Sequence, residues 1–306
     1  MVFLKKREHI TRQRRLEALT GYAFVTPQLI GFILLVLIPL INVFIYSFHN
    51  KNMLYGTNLY VGLSNYEKFF TGDKLFWKTL GNTFRFSILL VPLNLVLSFL
   101  LALYLGERLF GSRYIRTVIF LPVVTSGVAW AIVWKYLLQS GTAGPINYFL
   151  SKVGITGPNW LTDKNWAMIS VVINRVLKNL GANVLIFLGA VMNMPQDVIE
   201  AARLDGANEW AVIRRIKLPL LMPTVLMVTI VTMIGSMRVF DTIRLMTDGG
   251  PEGSTMVLVY YIYHQAFKMF NTGYASAIAV ILFIIVLLLT ILQWTLRKKV
   301  SHYEDA

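Results

Sequence analysis

Residues 194–224, MPQDVIEAARLDGANEWAVIRRIKLPLLMPT, are a polar interruption between two strongly apolar stretches of the chain. The charged side chains of this segment include Glu200, Asp205 and Lys217. Such groups are costly to place among lipid acyl chains, so the segment must face water. The apolar stretches on either side must therefore enter the membrane next to a segment that lies outside it.

The same segment is predicted to form two short helices. Pro195 suits a first helical position, and Gly206 suits the end of that helix. Asn208 is expected to cap a second helix over residues 208–217, which Pro219 would end. A helix–turn–helix held at a membrane surface indicates a place where another protein docks.

The composition is that of a membrane protein. Of the 306 residues 56% are hydrophobic and 14% are charged, with a mean hydropathy of +0.60, whereas soluble domains are about one quarter charged. The sequence has no cysteine, which excludes disulfides, thiolate nucleophiles and Cys-based metal sites, and its four histidines are scattered. Basic cytoplasmic loops explain the net charge of +14 better than a nucleic-acid partner does.

Six apolar stretches are long enough to cross a bilayer as helices. They cover residues 21–48, 79–105, 117–138, 165–193, 220–240 and 274–296. Residues 1–20 form a basic N-terminus and residues 297–306 a basic tail. The sequence therefore predicts an all-α membrane protein with six transmembrane helices in a membrane domain of residues 21–296.

The distribution of basic residues predicts the orientation. Sixteen Lys and Arg residues lie on the face that holds both termini and the 194–219 loop, and eight lie on the opposite face. By the positive-inside rule, both termini and the loop are cytoplasmic.

Several chemistries have no motif in this chain. A phosphate loop of the G-x-x-x-x-G-K-[ST] type is missing, as are H-E-x-x-H and G-x-S-x-G. No pair of carboxylates lies within a predicted span, as a proton relay would require. These absences argue against an enzyme and a proton-coupled carrier, and favour transport that is powered by another subunit.

Three groups of residues in one register resemble the EAA motif of importer-type ATP-binding-cassette (ABC) permeases. They are Glu200-Ala201-Ala202, Asp205-Gly206-Ala207 and Ile216-Lys217-Leu218-Pro219. Further segments resemble the carbohydrate branch of these permeases, which are similar to the larger membrane subunit of the maltose transporter: YVGLSNYEKFF, FLPVVTSGVAWAIVW, NWLTD and FDTIRLMTDGGPEGSTMVLVYYIYHQAF. The resemblance covers about residues 20–296 and fits the six-span, multiple-sugar form.

The resemblance implies a type I ABC importer permease in a prokaryotic cytoplasmic membrane. The implied partners are a second homologous permease, two cytoplasmic ATPase subunits that bind ATP and Mg²⁺, and an extracellular solute-binding protein that delivers a sugar. This chain itself would bind no cofactor. Residues 194–219, here called the EAA loop, would couple to one ATPase through Glu200, Ala201, Ala202, Asp205, Gly206, Ile216, Leu218 and Pro219. On residue pattern alone, the alternative is an amphipathic helix pair resting on lipid headgroups.

The fourth apolar stretch is unusually polar. Arg175, Asn179 and Asn183 recur at i, i+4 and i+8 and share one helical stripe, with Lys178 beside it. This stripe is a candidate surface for sugar hydroxyls, and the alternative is contact between helices or with the partner permease. The two basic residues further suggest an acidic, uronate-containing oligosaccharide.

The fifth stretch contributes Ser236 and Phe240 as candidate path residues near the outer mouth, where Arg238 and Asp241 are spaced for a helical ion pair. Two other functions stay open at this point. One is the same machinery for another solute, such as a glycerol phosphodiester, and the other is a self-contained secondary carrier.

Overall fold

The computed structural model describes residues 12–106 and 111–301 of the chain, and these are mostly helical. A two-stranded antiparallel hairpin, β1 (His49–Asn52) with β2 (Thr57–Tyr60), is an addition to the predicted all-α fold. The α-helices are α1 (Arg12–Phe32), α2 (Ile38–Ser47), α3 (Ser64–Thr71), α4 (Lys74–Gly106), α5 (Ser112–Val124), α6 (Gly127–Leu137), α7 (Pro145–Lys152), α8 (Lys164–Met192), α9 (Gln196–Leu204), α10 (Glu209–Val212), α11 (Leu218–Leu220), α12 (Met222–Met237), α13 (Asp241–Met246), α14 (Leu258–Tyr263) and α15 (Thr272–Ser301). Single π-helical segments lie at Ile33–Leu37, Ile213–Lys217 and His264–Lys268, and a 3₁₀ turn lies at Gly141–Ala143.

Four helices are continuous, apolar and long enough to cross a membrane. They are Glu17–Ser47, Lys74–Gly106, Lys164–Met192 and Thr272–Thr295. Two further apolar segments consist of helix pairs with a sharp bend: α5 and α6 meet at 110°, and Glu209–Leu220 meets Met222–Met237 at 68°. The described chain thus has four to six membrane-spanning segments, and six spans with cytoplasmic termini stay a prediction.

The third apolar stretch does not form the continuous helix predicted over residues 117–138. It breaks after Val124, where the backbone of Thr125 becomes extended with ψ of 142°. The physical reason lies outside the stretch, because the Lys178 ammonium on α8 donates hydrogen bonds to the carbonyl oxygens of Pro122 and Thr125. A cation at a helix C-terminus satisfies carbonyls that lack helical partners and complements the helix dipole.

The sequence predicted that Pro219 ends the second helix of the EAA loop, but it does not. The helical path runs from Glu209 to Leu220 and bends only afterwards. Ile213–Lys217 is a π-helical segment directly before the proline. A π turn changes the local hydrogen-bond ladder, so a residue without an N–H is accommodated there.

The centre of the molecule is the pair α4 and α8, with α5 and α12 packed on their sides. Apolar side chains dominate the contact, among them Phe86, Leu90, Met168 and Val176. Some buried polar residues there are paired across helices: Asn183 Nδ2 donates to Asn94 Oδ1 on α4 and, at 3.0 Å, to Thr232 Oγ1 on α12. These hydrogen bonds fix the register of three helices in surroundings where an unpaired amide is costly.

Candidate functional site

The EAA loop folds as two short helices joined by a tight turn. Pro195 has an extended backbone and occupies the N-cap of α9, one residue before its predicted position. Gly206 follows the helix with φ of +83°, a left-handed conformation that glycine adopts without steric cost. Asn208 Oδ1 accepts a hydrogen bond from Ala211 N at 2.8 Å, which confirms the predicted cap of the second helix.

One face of the loop belongs to a buried apolar cluster. Ile199 of α9 and Val212 of α10 are 3% and 0% exposed. They pack with Leu103 near the end of α4, Met194 just after α8 and Leu221 just before α12. The loop is therefore fastened to the ends of three long helices rather than hanging free.

An ion pair connects the two helices of the loop. Arg203 of α9 lies with Nη2 2.8 Å and Nε 2.9 Å from Glu209 Oε1 at the start of α10. Both side chains are about half exposed. An exposed pair contributes at most about 1 kcal/mol, so it orients the helices more than it stabilises them.

The opposite face of the loop is exposed, and it combines acidic and apolar side chains. Glu200, Ala201 and Asp205 are exposed. Leu204 and Trp210, which the sequence analysis did not single out, are 88% and 67% exposed. The sequence did hold a signal for the exposure of Leu204. Ile199 and Ala202, at i and i+3, form the inward stripe of α9, and Leu204 lies off that stripe.

The remaining predicted coupling residues divide between the two faces. Ala202 and Ile216 are half-buried against the apolar cluster. Leu218 is half-buried, and Pro219 is exposed. Gly206 is exposed at the turn, with no atom within 4 Å of a Cβ built on it. The exposed residues Glu200, Ala201, Asp205 and Gly206 thus lie within about one helical turn of Leu204, whereas Ala202 and Ile216 pack against the cluster that attaches the loop.

The predicted polar stripe of α8 does not face one environment. Asn183 is 6% exposed and lies within the hydrogen bonds to α4 and α12. The Lys178 ammonium is occupied by the α5 carbonyls. Arg175 and Asn179 are half-buried. Asn183 therefore corresponds to the interhelical alternative, and Arg175 and Asn179 remain candidates for contact with cargo.

Polar groups of Arg175 and of its neighbour Asn174 lack hydrogen-bond partners within the described part of the chain. They are the buried Nε of Arg175 and the side-chain amide of Asn174, which is fully buried. The backbone carbonyl oxygen of Asn174, by contrast, accepts a hydrogen bond from Trp130 Nε1 at 3.2 Å. Asp241 is the carboxylate whose charge acts on Arg175. Asn174 was not among the predicted site residues, although it directly precedes Arg175 on the same helix.

Ser236 also bonds between helices. Its hydroxyl donates to Ser87 Oγ on α4 at 2.7 Å, and the residue is 1% exposed. The ion pair predicted between Arg238 and Asp241 is wrong: α12 ends at Met237 and α13 starts at Asp241, so no helical turn joins them. Within the described ranges these two side chains form no salt bridge.

Phe240 belongs to an aromatic cluster at the end of α12 that is opposite to the EAA loop. Its ring stacks on the Tyr260 ring with a centroid distance of 6.3 Å and meets the Tyr263 ring edge to face with a centroid distance of 5.1 Å. Tyr263 in turn lies 5.4 Å from Phe267, and the Arg244 guanidinium lies 4.4 Å over the Tyr263 ring. These five residues are called the mouth cluster below.

A hydrogen bond anchors the mouth cluster. Tyr260 OH donates to Asp248 Oδ1 at 2.6 Å, and this bond lowers the pKa of Asp248 below its usual value. Burial and the same bond raise the pKa of Tyr260. Lys268 Nζ lies 3.4 Å from Asp248 Oδ2. Throughout the described ranges no three His, Asp or Glu side chains converge as metal ligands.

Comparison with known proteins identifies the family and agrees with the fold. Residues 94–302 match the family described as "binding-protein-dependent transport system inner membrane component". The chain is 33% identical over 299 residues to the probable ABC transporter permease protein YesP of Bacillus subtilis (strain 168), covering 96% of both chains. It is 32% identical over 291 residues to the lactose transport system permease protein LacF of Rhizobium radiobacter, covering 92% of this chain and 95% of the relative.

A solved structure has the same fold. One chain of a bacterial alginate ABC transporter, in complex with alginate pentasaccharide-bound periplasmic protein, superposes with a TM-score of 0.81. The two are 22% identical, over 93% of this chain and 96% of that one. With the family match and the permease relatives, these likenesses establish that the chain belongs to the inner membrane components of binding-protein-dependent transport systems, as a multi-pass, non-catalytic permease subunit.

Proposed function

We propose that this chain forms half of the translocation path of an ATP-driven oligosaccharide importer and receives its driving motion through the EAA loop. A second, homologous permease supplies the other half of the path. Two cytoplasmic ABC ATPases bind ATP and Mg²⁺, and an extracellular solute-binding protein delivers the cargo. The sugar cargo is supported by relatives such as the lactose permease, which aligns over 92% of this chain.

The observation that carries the coupling role is the two-sided construction of the EAA loop. Its inner face joins α4, α8 and α12 through a buried cluster. Its outer face presents Leu204 and Trp210 to water beside Glu200 and Asp205. Large exposed apolar side chains rimmed by polar groups mark a protein interface. A partner bound to the outer face would therefore move the ends of three long helices.

The charges around Leu204 argue against a helix pair that merely rests on lipid. A membrane-surface helix carries Lys and Arg next to its apolar face, because headgroups are anionic. Here Leu204 is followed by Asp205, and the preceding Arg203 is already paired with Glu209. The local charge therefore favours a basic groove on a protein over a lipid surface.

The test is the Gly206→Asp substitution in the assembled importer. Aspartate tolerates a positive φ better than most residues, and no atom lies within 4 Å of the added Cβ. We expect the variant to reach the membrane in normal amount, because a Cβ at this position has open space around it among the described residues. It should lose co-purification of the ATPase and uptake, because the added charge lies on the docking face.

The matched control is Gly154→Asp. Gly154 has φ of +76°, has the same open surroundings, and lies in a loop predicted to face the other side of the membrane. Uptake and ATPase association should be unchanged in that variant. Normal co-purification of the ATPase with Gly206→Asp would sink the coupling proposal.

The cargo is further proposed to be acidic. Because the Lys178 ammonium is occupied, the support comes from Arg175, which feels the charge of Asp241 but whose Nε has no hydrogen-bond partner among the described residues. The likeness to an alginate transporter concerns the fold and adds no argument about cargo. In a competition assay, acidic oligosaccharides should inhibit uptake more strongly than neutral ones of equal length. Preference for neutral competitors would dispose of this proposal, and inhibition by a glycerol phosphodiester alone would favour that solute.

A further inference from the structure

The mouth cluster combines an exposed aromatic face with a cation. Phe267 is 62% exposed, although it contacts Tyr263. Arg244 is exposed as well and lies over the same Tyr263 ring. A flat apolar surface and a guanidinium are thereby presented side by side, on one supporting ring. Ligand sites commonly have this composition, in which aromatic side chains provide contact and a few polar groups fix orientation.

The platform is rigid before any ligand arrives. Tyr260 is 1% exposed and hydrogen-bonded to Asp248, and Phe240 stacks on it. Tyr263 then packs edge to face on Phe240. Surfaces that are already ordered lose little conformational entropy on binding, which favours affinity.

The two cations around the mouth cluster differ in their partners, although the charge of each acts on Asp248. Lys268 lies within ion-pair distance of Asp248. Arg244 forms no salt bridge among the described residues. Its guanidinium presents paired N–H donors that match a carboxylate in a bidentate arrangement. A ligand that brings a carboxylate next to a flat apolar face would satisfy both features.

We propose that the mouth cluster is a subsite that holds one uronic-acid ring of the incoming oligosaccharide, at the end of the path opposite to the EAA loop. The C–H face of the sugar ring stacks on Phe267, whose π face carries partial negative charge. The carboxylate of the ring pairs with Arg244. Asp248 is a positioning residue, because it holds Tyr260 beneath the platform. This inference rests on the proposed function and adds where and how the acidic cargo is first held.

The test uses the complete importer, with partner permease, ATPases and binding protein, in proteoliposomes. The cargoes are a uronic-acid trisaccharide and its carboxyl-reduced, neutral counterpart. Uptake is measured at saturating binding protein, and the binding-protein concentration for half-maximal uptake is measured separately. The variants are Arg244→Gln, Arg244→Lys and Phe267→Leu.

The subsite predicts a pattern that depends on cargo charge. Arg244→Gln should lower the ratio of acidic to neutral uptake about tenfold, and Arg244→Lys should restore part of it. Phe267→Leu keeps an apolar side chain but removes the ring, so uptake of both cargoes should fall about fivefold. Phe70→Leu is the matched control, because Phe70 is a 77% exposed aromatic residue of α3 outside the cluster.

Other results would overturn the subsite. An unchanged uptake ratio in Arg244→Gln excludes carboxylate binding. Full activity of Phe267→Leu means that Phe267 is an interfacial anchor, since leucine preserves apolar burial. A change only in the half-maximal binding-protein concentration makes the cluster a protein docking surface. In all three cases the wild type still imports sugar and the proposed function stands; failure of the wild type to import either cargo would instead refute the function.

Discussion

Gly181 lies where α8 packs against α5, and an alanine there tests the packing directly. A Cβ built on Gly181 would lie 2.4 Å from the Ile119 carbonyl oxygen and 2.7 Å from Val123 Cγ2. Real Cβ atoms essentially never come closer than 3.0 Å to such atoms. Because the first obstacle is backbone, α5 itself must shift for the methyl group to fit.

The size of the effect follows from two opposing contributions. Alanine in a helix interior is favoured over glycine by about 0.5–1 kcal/mol. An extra methyl group forced into a well-packed contact costs about 1–3 kcal/mol. Gly189 on the same helix and Gly235 on α12 have no atom within 4 Å of a built Cβ, so alanine there keeps only the favourable contribution. The expected difference between Gly181→Ala and Gly189→Ala is therefore the packing cost, about 1–3 kcal/mol.

The assay is denaturant or thermal unfolding of the purified importer in detergent. Gly181→Ala should unfold more readily than the wild type, whereas Gly189→Ala and Gly235→Ala should match or exceed it. Uptake by Gly181→Ala should fall if α5 is displaced. Equal unfolding midpoints for Gly181→Ala and Gly189→Ala would refute the close approach of the two helices.

Two further predictions concern side chains with defined partners. Lys178→Met removes the cation from the carbonyls at the end of α5 and should lower the unfolding free energy by about 2 kcal/mol. Lys178→Arg should be less affected. If Lys178→Met unfolds like the wild type but loses a preference for acidic cargo, Lys178 binds cargo instead. For Asp73 burial raises the pKa, but hydrogen bonds from Tyr261 and Tyr274 outweigh it and hold the pKa below its usual value. Its stabilising contribution is therefore present above about pH 4 and lost as the pH falls through the lowered pKa of the folded state, so Asp73→Asn should be less stable than wild type near about pH 7, with the difference shrinking on acidification below about pH 4. A difference that stays constant across this range would contradict the assignment.

The EAA loop was largely predictable because its signals are local. Asn208 caps the helix that starts next to it, and Gly206 supplies the turn through its own backbone freedom. The apolar stretches followed equally from their own composition. The exposure of Leu204 and Trp210 was not predicted, because burial depends on how α9 and α10 rest on the ends of α4 and α8.

Features that depend on residues distant in the sequence could not be predicted from local patterns. The break between α5 and α6 involves Lys178, more than 50 positions away from the carbonyls that it contacts. The i, i+4 spacing of α8 identified a polar stripe. Because α8 is surrounded by other helices, different residues of that stripe contact different neighbouring helices. Asn183 therefore bonds to α4 and α12, whereas Lys178 reaches α5.

The hydrogen bonds that join Asn183, Asn94 and Thr232 have a consequence for how the permease changes shape. Sliding α8 along α4 by even one residue would separate all of these amides and hydroxyls in a place without water to replace the lost partners. Shear between α4, α8 and α12 is therefore disfavoured, and if the EAA loop couples to an ATPase as proposed, we expect its displacement to turn the three helices together.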